Sequence, residues 1–168
     1  TPDTYGARIG TTTPRSYGAA TNDPQGSVSI IDIATRSVTT AKLDGVTETG
    51  SLLRKNTGMD FEPEYIAVNK AGTKAYVGLQ EANGMGVLNL LTNTFEKIIG
   101  LGAKDFNAPG NEIDPRNNST IAFGNYAAKG LYMPDGMATF QAGGKTYVVM
   151  ANEGDFREDD GDRSAASS

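Results

Sequence analysis

Pro63-Glu64-Tyr65-Ile66-Ala67-Val68-Asn69-Lys70-Ala71-Gly72-Thr73-Lys74-Ala75-Tyr76-Val77 is written twice in this chain. Moved on by 71 positions, Pro63 meets Pro134, Glu64 meets Asp135, Ala67 meets Ala138 and Gly72 meets Gly143. Lys74, Tyr76 and Val77 then meet Lys145, Tyr147 and Val148 without a gap, and Ile66 faces Met137. A second echo runs at an offset of 57, matching Asp32 to Asn89, Ile33 to Leu90, Thr35 to Thr92 and Val38 to Phe95. Self-similarity at fixed spacing points to a repeat architecture in which each copy buries its apolar face against the next.

The repeat reads as strands. From Glu64 to Asn69, residues alternate, with Tyr65, Ala67 and Asn69 on one face and Ile66 and Val68 on the other. The turn Lys70-Ala71-Gly72-Thr73 leads to a second strand, Lys74 to Gln80. A polar turn then leads to Met85 to Leu90, and Leu91-Thr92-Asn93-Thr94 leads to Phe95 to Leu101. Short strands joined by short turns predict an antiparallel meander, and four strands in roughly 40 residues is one propeller blade. Upstream, the β-branched Ser27 to Ile33 and Val38 to Leu43 predict a hairpin. Downstream, Met133 to Phe140 and Lys145 to Ala151 repeat the first two strands. The expected fold is all-β: a partial β-propeller with one complete four-stranded antiparallel blade (59–101), an outer half-blade (27–43) and an inner half-blade (133–151). Residues 102–132 read as a long loop insertion. Residues 1–25 and 44–60 also read as loop, with a short helical turn at Leu52-Leu53-Arg54. Such a chain cannot close a ring alone, since propellers have at least four blades.

Composition narrows the chemistry. The 168 residues suit one domain, and 21 glycines without a collagen period fit a protein rich in tight turns. Fifteen basic against twenty acidic residues leave a net charge of −5, which argues against nucleic acid and favours divalent cations or basic partners. The chain has no Cys and no His. Disulfides, thiolate catalysis, Ser-His-Asp chemistry, the usual zinc sites and His-ligated haem are therefore excluded. No apolar run approaches the ~20 residues of a membrane-spanning helix. The sequence begins Thr-Pro-Asp without Met or signal peptide, which reads as a processed or excised piece, or as a chain whose ends were never recorded.

In a meander the first strand starts where the second ends. Glu62, Glu64, Gln80, Glu81 and Asn83 are thus expected at one corner of the blade, and Asp135, Asn152, Glu153 and Asp155 at the matching corner of the repeat. Such corners should converge at a channel mouth. Clustered carboxylates repel unless a cation sits among them. Oxygen ligands without His or Cys select Ca²⁺ or Mg²⁺. Solvated loop tips and a substrate-binding role are the competing readings.

Three stretches carry a family resemblance: Asp23-Pro24-Gln25-Gly26-Ser27-Val28-Ser29-Ile30-Ile31-Asp32, Phe61-Glu62-Pro63-Glu64-Tyr65-Ile66-Ala67-Val68 and Ala151-Asn152-Glu153-Gly154-Asp155-Phe156-Arg157. The chain resembles the choice-of-anchor I domain proteins, secreted bacterial β-propellers related to YVTN-type and phytase-like propellers. The likeness covers about Asp23 to Ser164. It implies an extracellular, cell-surface or periplasmic location and a longer parent with further blades at both ends. It points to Glu62, Glu64, Gln80, Glu81, Asp135, Asn152, Glu153, Asp155 and Arg157. Asn83-Gly84-Met85-Gly86 departs from the family's plainer Asn-containing turn. Some members carry alkaline phosphatase or esterase-like names.

Other signals are weaker. Gly84-Met85-Gly86 lacks the third Gly and the helix of a dinucleotide loop. Asp160-Gly161-Asp162 lacks the spaced ligands of an EF-hand. Asn117-Asn118-Ser119 and Asn118-Ser119-Thr120 match a glycosylation sequon within the insertion. Tyr76 and Tyr147 read as packing residues between blades. Arg157 beside Asp155 reads as a loop salt bridge or an anion clamp.

Two functions follow as expectations. One is a binding or structural module with Ca²⁺ at the acidic mouth, expected to bind Gln80, Asn83, Asn152 and Arg157 to a ligand and Glu62, Glu64, Glu81, Asp135, Glu153 and Asp155 to metal. The other is a metal-dependent phosphoesterase using the same cluster, with a small anionic ligand held through the metal. The remaining blades of the parent chain, or a copy of the chain itself, are the expected partners.

Overall fold

A computed structural model describes residues 26–53 and 61–154. The loop expected at residues 1–25, Arg54, Asp155, Arg157 and the acidic Asp160-Gly161-Asp162 stretch lie outside the described residues. Among those described there are only strands and turns.

The meander forms as the alternation predicts. Strands β4 (Ile66–Val68), β5 (Lys74–Leu79), β6 (Gly84–Asn89) and β7 (Thr94–Leu101) pair antiparallel in sequence order. Upstream, β1 (Ser27–Ile31) and β2 (Val38–Lys42) form a hairpin, and downstream β10 (Pro134–Ala142) and β11 (Lys145–Asn152) form another. The two hairpins cover opposite faces of the blade. On one face Val28, Ala41 and Leu43 from β1–β2 and its exit pack with Phe61, Ala75, Val77, Leu79, Leu88 and Ile98. On the other, Met137 packs with Ala67 and Met85, flanked by Tyr76, Val148 and Met150. Stacked faces of this kind are how a propeller supplies each blade with two cores.

The two sequence echoes are also structural. At offset 57, the β1–β2 and β6–β7 turns share their hydrogen bonds. Asp32 Oδ1 accepts from the Thr35 N–H at 2.7 Å, and Asn89 Oδ1 accepts from the Thr92 N–H at 3.3 Å. The hydroxyls of Thr35 and Ser37 share a hydrogen bond at 2.9 Å, as do those of Thr92 and Thr94 at 2.7 Å. Arg36 and Asn93 both take left-handed backbone angles, φ 60° and 56°. At offset 71 the match holds with one change. Ala67 pairs with Tyr76, whereas its counterpart Ala138 pairs with Val149 rather than Tyr147. The tighter Gly143-Gly144 turn, with φ 54° and 73°, moves the register by two residues. A shift of two keeps every side chain on its face, whereas a shift of one would not.

Two stretches read as loop contain strands. Residues 48–51 are strand β3 (Glu48–Ser51), parallel to β7 at the outer edge of the blade. Of the expected helical turn at Leu52-Leu53-Arg54, the described residues are not helical: Leu52 has φ 56° and Leu53 belongs to no element. Gly50 lies opposite Gly100, and a Cβ on Gly50 would come 2.2 Å from the Gly100 carbonyl oxygen. The close approach of β3 therefore needs glycine on both strands. The insertion is tied at its base by β8 (Ala103–Asp105) paired with β9 (Lys129–Leu131), and by an Ile113–Gly124 bridge farther out.

Candidate functional site: an acidic rim organised by Asn83

The strand ends meet at one rim. The Glu64 N–H donates to the Gly78 carbonyl at 3.1 Å, which sets Glu62-Pro63-Glu64 beside the end of β5. Pro134 pairs with Asn152, so the repeated corner has the same build. β10 crosses β4 and β5, and Thr139 Oγ1 donates to the Val68 carbonyl at 2.6 Å. Met137 of β10 packs on Ala67 of β4, and a side-chain hydrogen bond brings the two acidic corners to the same side. They touch directly: Gln80 Nε2 donates to Glu153 Oε2 at 3.1 Å.

The candidates differ in setting. Gln80 is buried, Glu62 and Glu81 are half-buried, and Glu64, Asp135, Asn152 and Glu153 are exposed. Among the described residues, no three acidic side chains are arranged to hold one metal ion. The donor types present are carboxylates and amides, the oxygen chemistry that suits Ca²⁺.

Asn83 does something else. It is fully buried, with φ 53°. Its Nδ2 donates to the Leu52 and Gly102 carbonyls, both at 2.9 Å. Its Oδ1 accepts from the Tyr132 and Met133 N–H groups, both at 3.1 Å. Both donors and both lone pairs are thus engaged with backbone, leaving no capacity for a ligand. One side chain binds the exits of β3 and β7 to the entry of β10, and so fixes how the third sheet meets the blade. The Asn-Gly dipeptide at 83–84 is a turn signal in the sequence. Nothing local there points to the partners at positions 52, 102, 132 and 133.

Carboxylates with lowered pKa lie away from this rim. Asp32 is held low by the Thr35 N–H and hydroxyl, Glu96 by its hydrogen bond from Lys74, and Glu112 by the Gly110 N–H. Each serves a turn or a surface pair.

A sequence model of the choice-of-anchor I domain matches residues 12–168. The chain belongs to that family. No curated protein and no solved structure matches it. Choice-of-anchor I membership makes this a secreted or cell-surface bacterial domain. The match spans the blade, both hairpins and all the rim residues.

Proposed function

We propose that this choice-of-anchor I domain is a binding module whose acidic rim is its recognition face, with Ca²⁺ as the ligand. The observation that carries the reading is the Gln80–Glu153 hydrogen bond, which joins the two repeated corners across a sheet boundary. A cation held there by Glu153, with water completing its shell, would relieve the repulsion of carboxylates placed on one rim. It would also brace β10–β11 against the blade. Its chemistry is electrostatic and structural, and no redox or nucleophilic group is needed.

Calorimetric titration of the full chain with CaCl₂, paired with thermal melts in Ca²⁺ and in chelator, tests this. Saturation at about 100 times Kd should add about 2.7 kcal/mol of stability, and Glu153→Gln should remove most of that gain. Absence of both heat and a melting shift would end the calcium assignment. Metal-dependent hydrolysis of p-nitrophenyl phosphate that is lost in Glu153→Gln would replace binding with phosphoesterase activity.

A further inference from the structure

Asn83 reaches the rim by a closed circuit of hydrogen bonds. Its backbone N–H donates to the Gln80 carbonyl at 2.8 Å. Its Oδ1 accepts from the Met133 N–H at 3.1 Å. The Met133 carbonyl in turn accepts from the Gly154 N–H at 3.3 Å. Gly154 follows Glu153, whose Oε2 accepts from Gln80 Nε2 at 3.1 Å and returns the path to its start. The circuit crosses between the blade and the β10–β11 hairpin twice, inside at Asn83–Met133 and outside at Gln80–Glu153.

The two crossings are unequal. Asn83, Gln80 and Met133 are buried, whereas Glu153 and Gly154 are exposed. A solvated glutamate gives up rotamer freedom to keep one contact, and water competes for its carboxylate. The outer crossing alone is therefore weak, and it takes its geometry from the inner one. Met133 is the point of transfer. It has φ 38°, a left-handed angle that a residue with a side chain keeps only where its surroundings hold it. Both of its backbone groups are held, the N–H by Asn83 and the carbonyl by Gly154. Pro134, the next residue, pairs with Asn152, so the entry of β10 carries the end of β11 with it.

We propose that Asn83 is the positioning residue of the rim. Through Met133 it holds Glu153 against Gln80, and by that contact it sets how tightly the rim takes a cation. Its two arms divide the work. The Nδ2 arm, on the Leu52 and Gly102 carbonyls, ties the exits of β3 and β7. The Oδ1 arm, on the Tyr132 and Met133 N–H groups, governs the rim. Asn83 itself touches no ligand, because backbone groups take all of its side-chain capacity. A carboxylate ordered in advance spares the ligand that entropic cost. The affinity part of the proposal rests on the calcium reading above, whereas the holding of Glu153 does not.

The test reads the Gln80 side-chain amide protons by NMR on the isotope-labelled full chain, beside calorimetry with CaCl₂. Glu153→Ala marks where that signal lies without its carboxylate partner. Asn83→Gly removes the inner crossing, so its Gln80 signal should move to the Glu153→Ala position. Its Ca²⁺ affinity should fall about tenfold or more, as for other supports of a metal ligand. Asn83→Asp keeps an acceptor for Met133 while setting an oxygen against the Leu52 and Gly102 carbonyls. At neutral pH it should lose stability yet keep the Gln80 signal and the Ca²⁺ affinity of the unsubstituted chain. Leu88→Ala, in the core on the blade's other face, lowers stability away from the circuit and should also leave both unchanged. A folded Asn83→Gly chain with its Gln80 signal in place would overturn the proposal. So would a Leu88→Ala chain that moves the signal as far. Where Asn83→Gly does not fold, Asn83→Asp decides: a signal kept despite lower stability supports the division of arms, and a signal lost overturns it. An unsubstituted chain that gives no calcium heat ends the calcium reading and the affinity claim together, and the Gln80 signal still decides whether Asn83 holds Glu153.

Discussion

Replacing Asn83 probes whether one side chain sets the angle between the blade and the third sheet. Asn83→Ala removes four hydrogen bonds to backbone groups of Leu52, Gly102, Tyr132 and Met133. Each contributes about 1 kcal/mol net, and a group left buried and unsatisfied costs about 1–3 kcal/mol. Water reaching the vacated site offsets part of this, so the expected loss from hydrogen bonding is about 3–5 kcal/mol. Alanine at φ 53° adds about 1 kcal/mol of backbone strain. Asn83→Gly should therefore lose the hydrogen bonds without adding the strain, and be about 1 kcal/mol more stable than Asn83→Ala. Asn83→Asp keeps the acceptor for Tyr132 and Met133 but turns a carboxylate oxygen toward two carbonyls. Its folded-state pKa should be raised above the unfolded value. Its deficit should be largest at neutral pH and shrink as pH falls and protonation restores one donor. Urea unfolding at several pH values, with the slope m checked for constancy, measures all three. Asn83→Ala losing less than about 1 kcal/mol would refute the hydrogen-bond argument, and Gly faring no better than Ala would refute the strain argument.

Glycines separate crowding from freedom. A Cβ at Gly26 would lie 2.1 Å from the Phe61 carbonyl oxygen, so Gly26→Ala should cost more than about 2 kcal/mol in Cm-derived stability. Gly136→Ala, with nothing within 4 Å, should stay within about 0.5 kcal/mol. Leu79 is fully buried in the core shared by the β1–β2 hairpin and the blade, and Leu79→Ala should lose about 2–5 kcal/mol on the same assay. The Lys74–Glu96 pair, 2.5 Å apart and partly solvated, holds the Glu96 carboxyl below its ordinary range. Its stabilisation is present at neutral pH and lost as pH falls through that lowered value. Glu96→Gln should therefore cost less than about 1 kcal/mol at pH 7, nothing at low pH, and less still in high salt.

The sequence made legible what repeats and what alternates. The offset of 57 carried even hydrogen-bond detail, because Asp32 and Asn89 accept from turn N–H groups that no neighbouring residue could satisfy as cheaply. The offset of 71 carried the faces but not the register, since two glycines at 143–144 make a tighter turn than Lys70-Ala71-Gly72-Thr73 and only their backbone angles record it. Strand β3 escaped for a different reason: Glu48-Thr49-Gly50-Ser51 is exposed throughout, and an edge strand with no buried face has no apolar period to read. The rim lies between these cases. Its residues were placed at strand ends by topology alone, and the two corners do share a side. Which of them touch depends on contacts far apart in sequence, such as Gln80 with Glu153. Asn83 shows the limit most clearly. As a polar residue in an Asn-Gly turn it reads as a surface ligand, yet it is buried because four backbone groups from distant strands converge on it. A residue's type records what it can bond to, and only the fold decides whether a ligand or the chain itself supplies the partner.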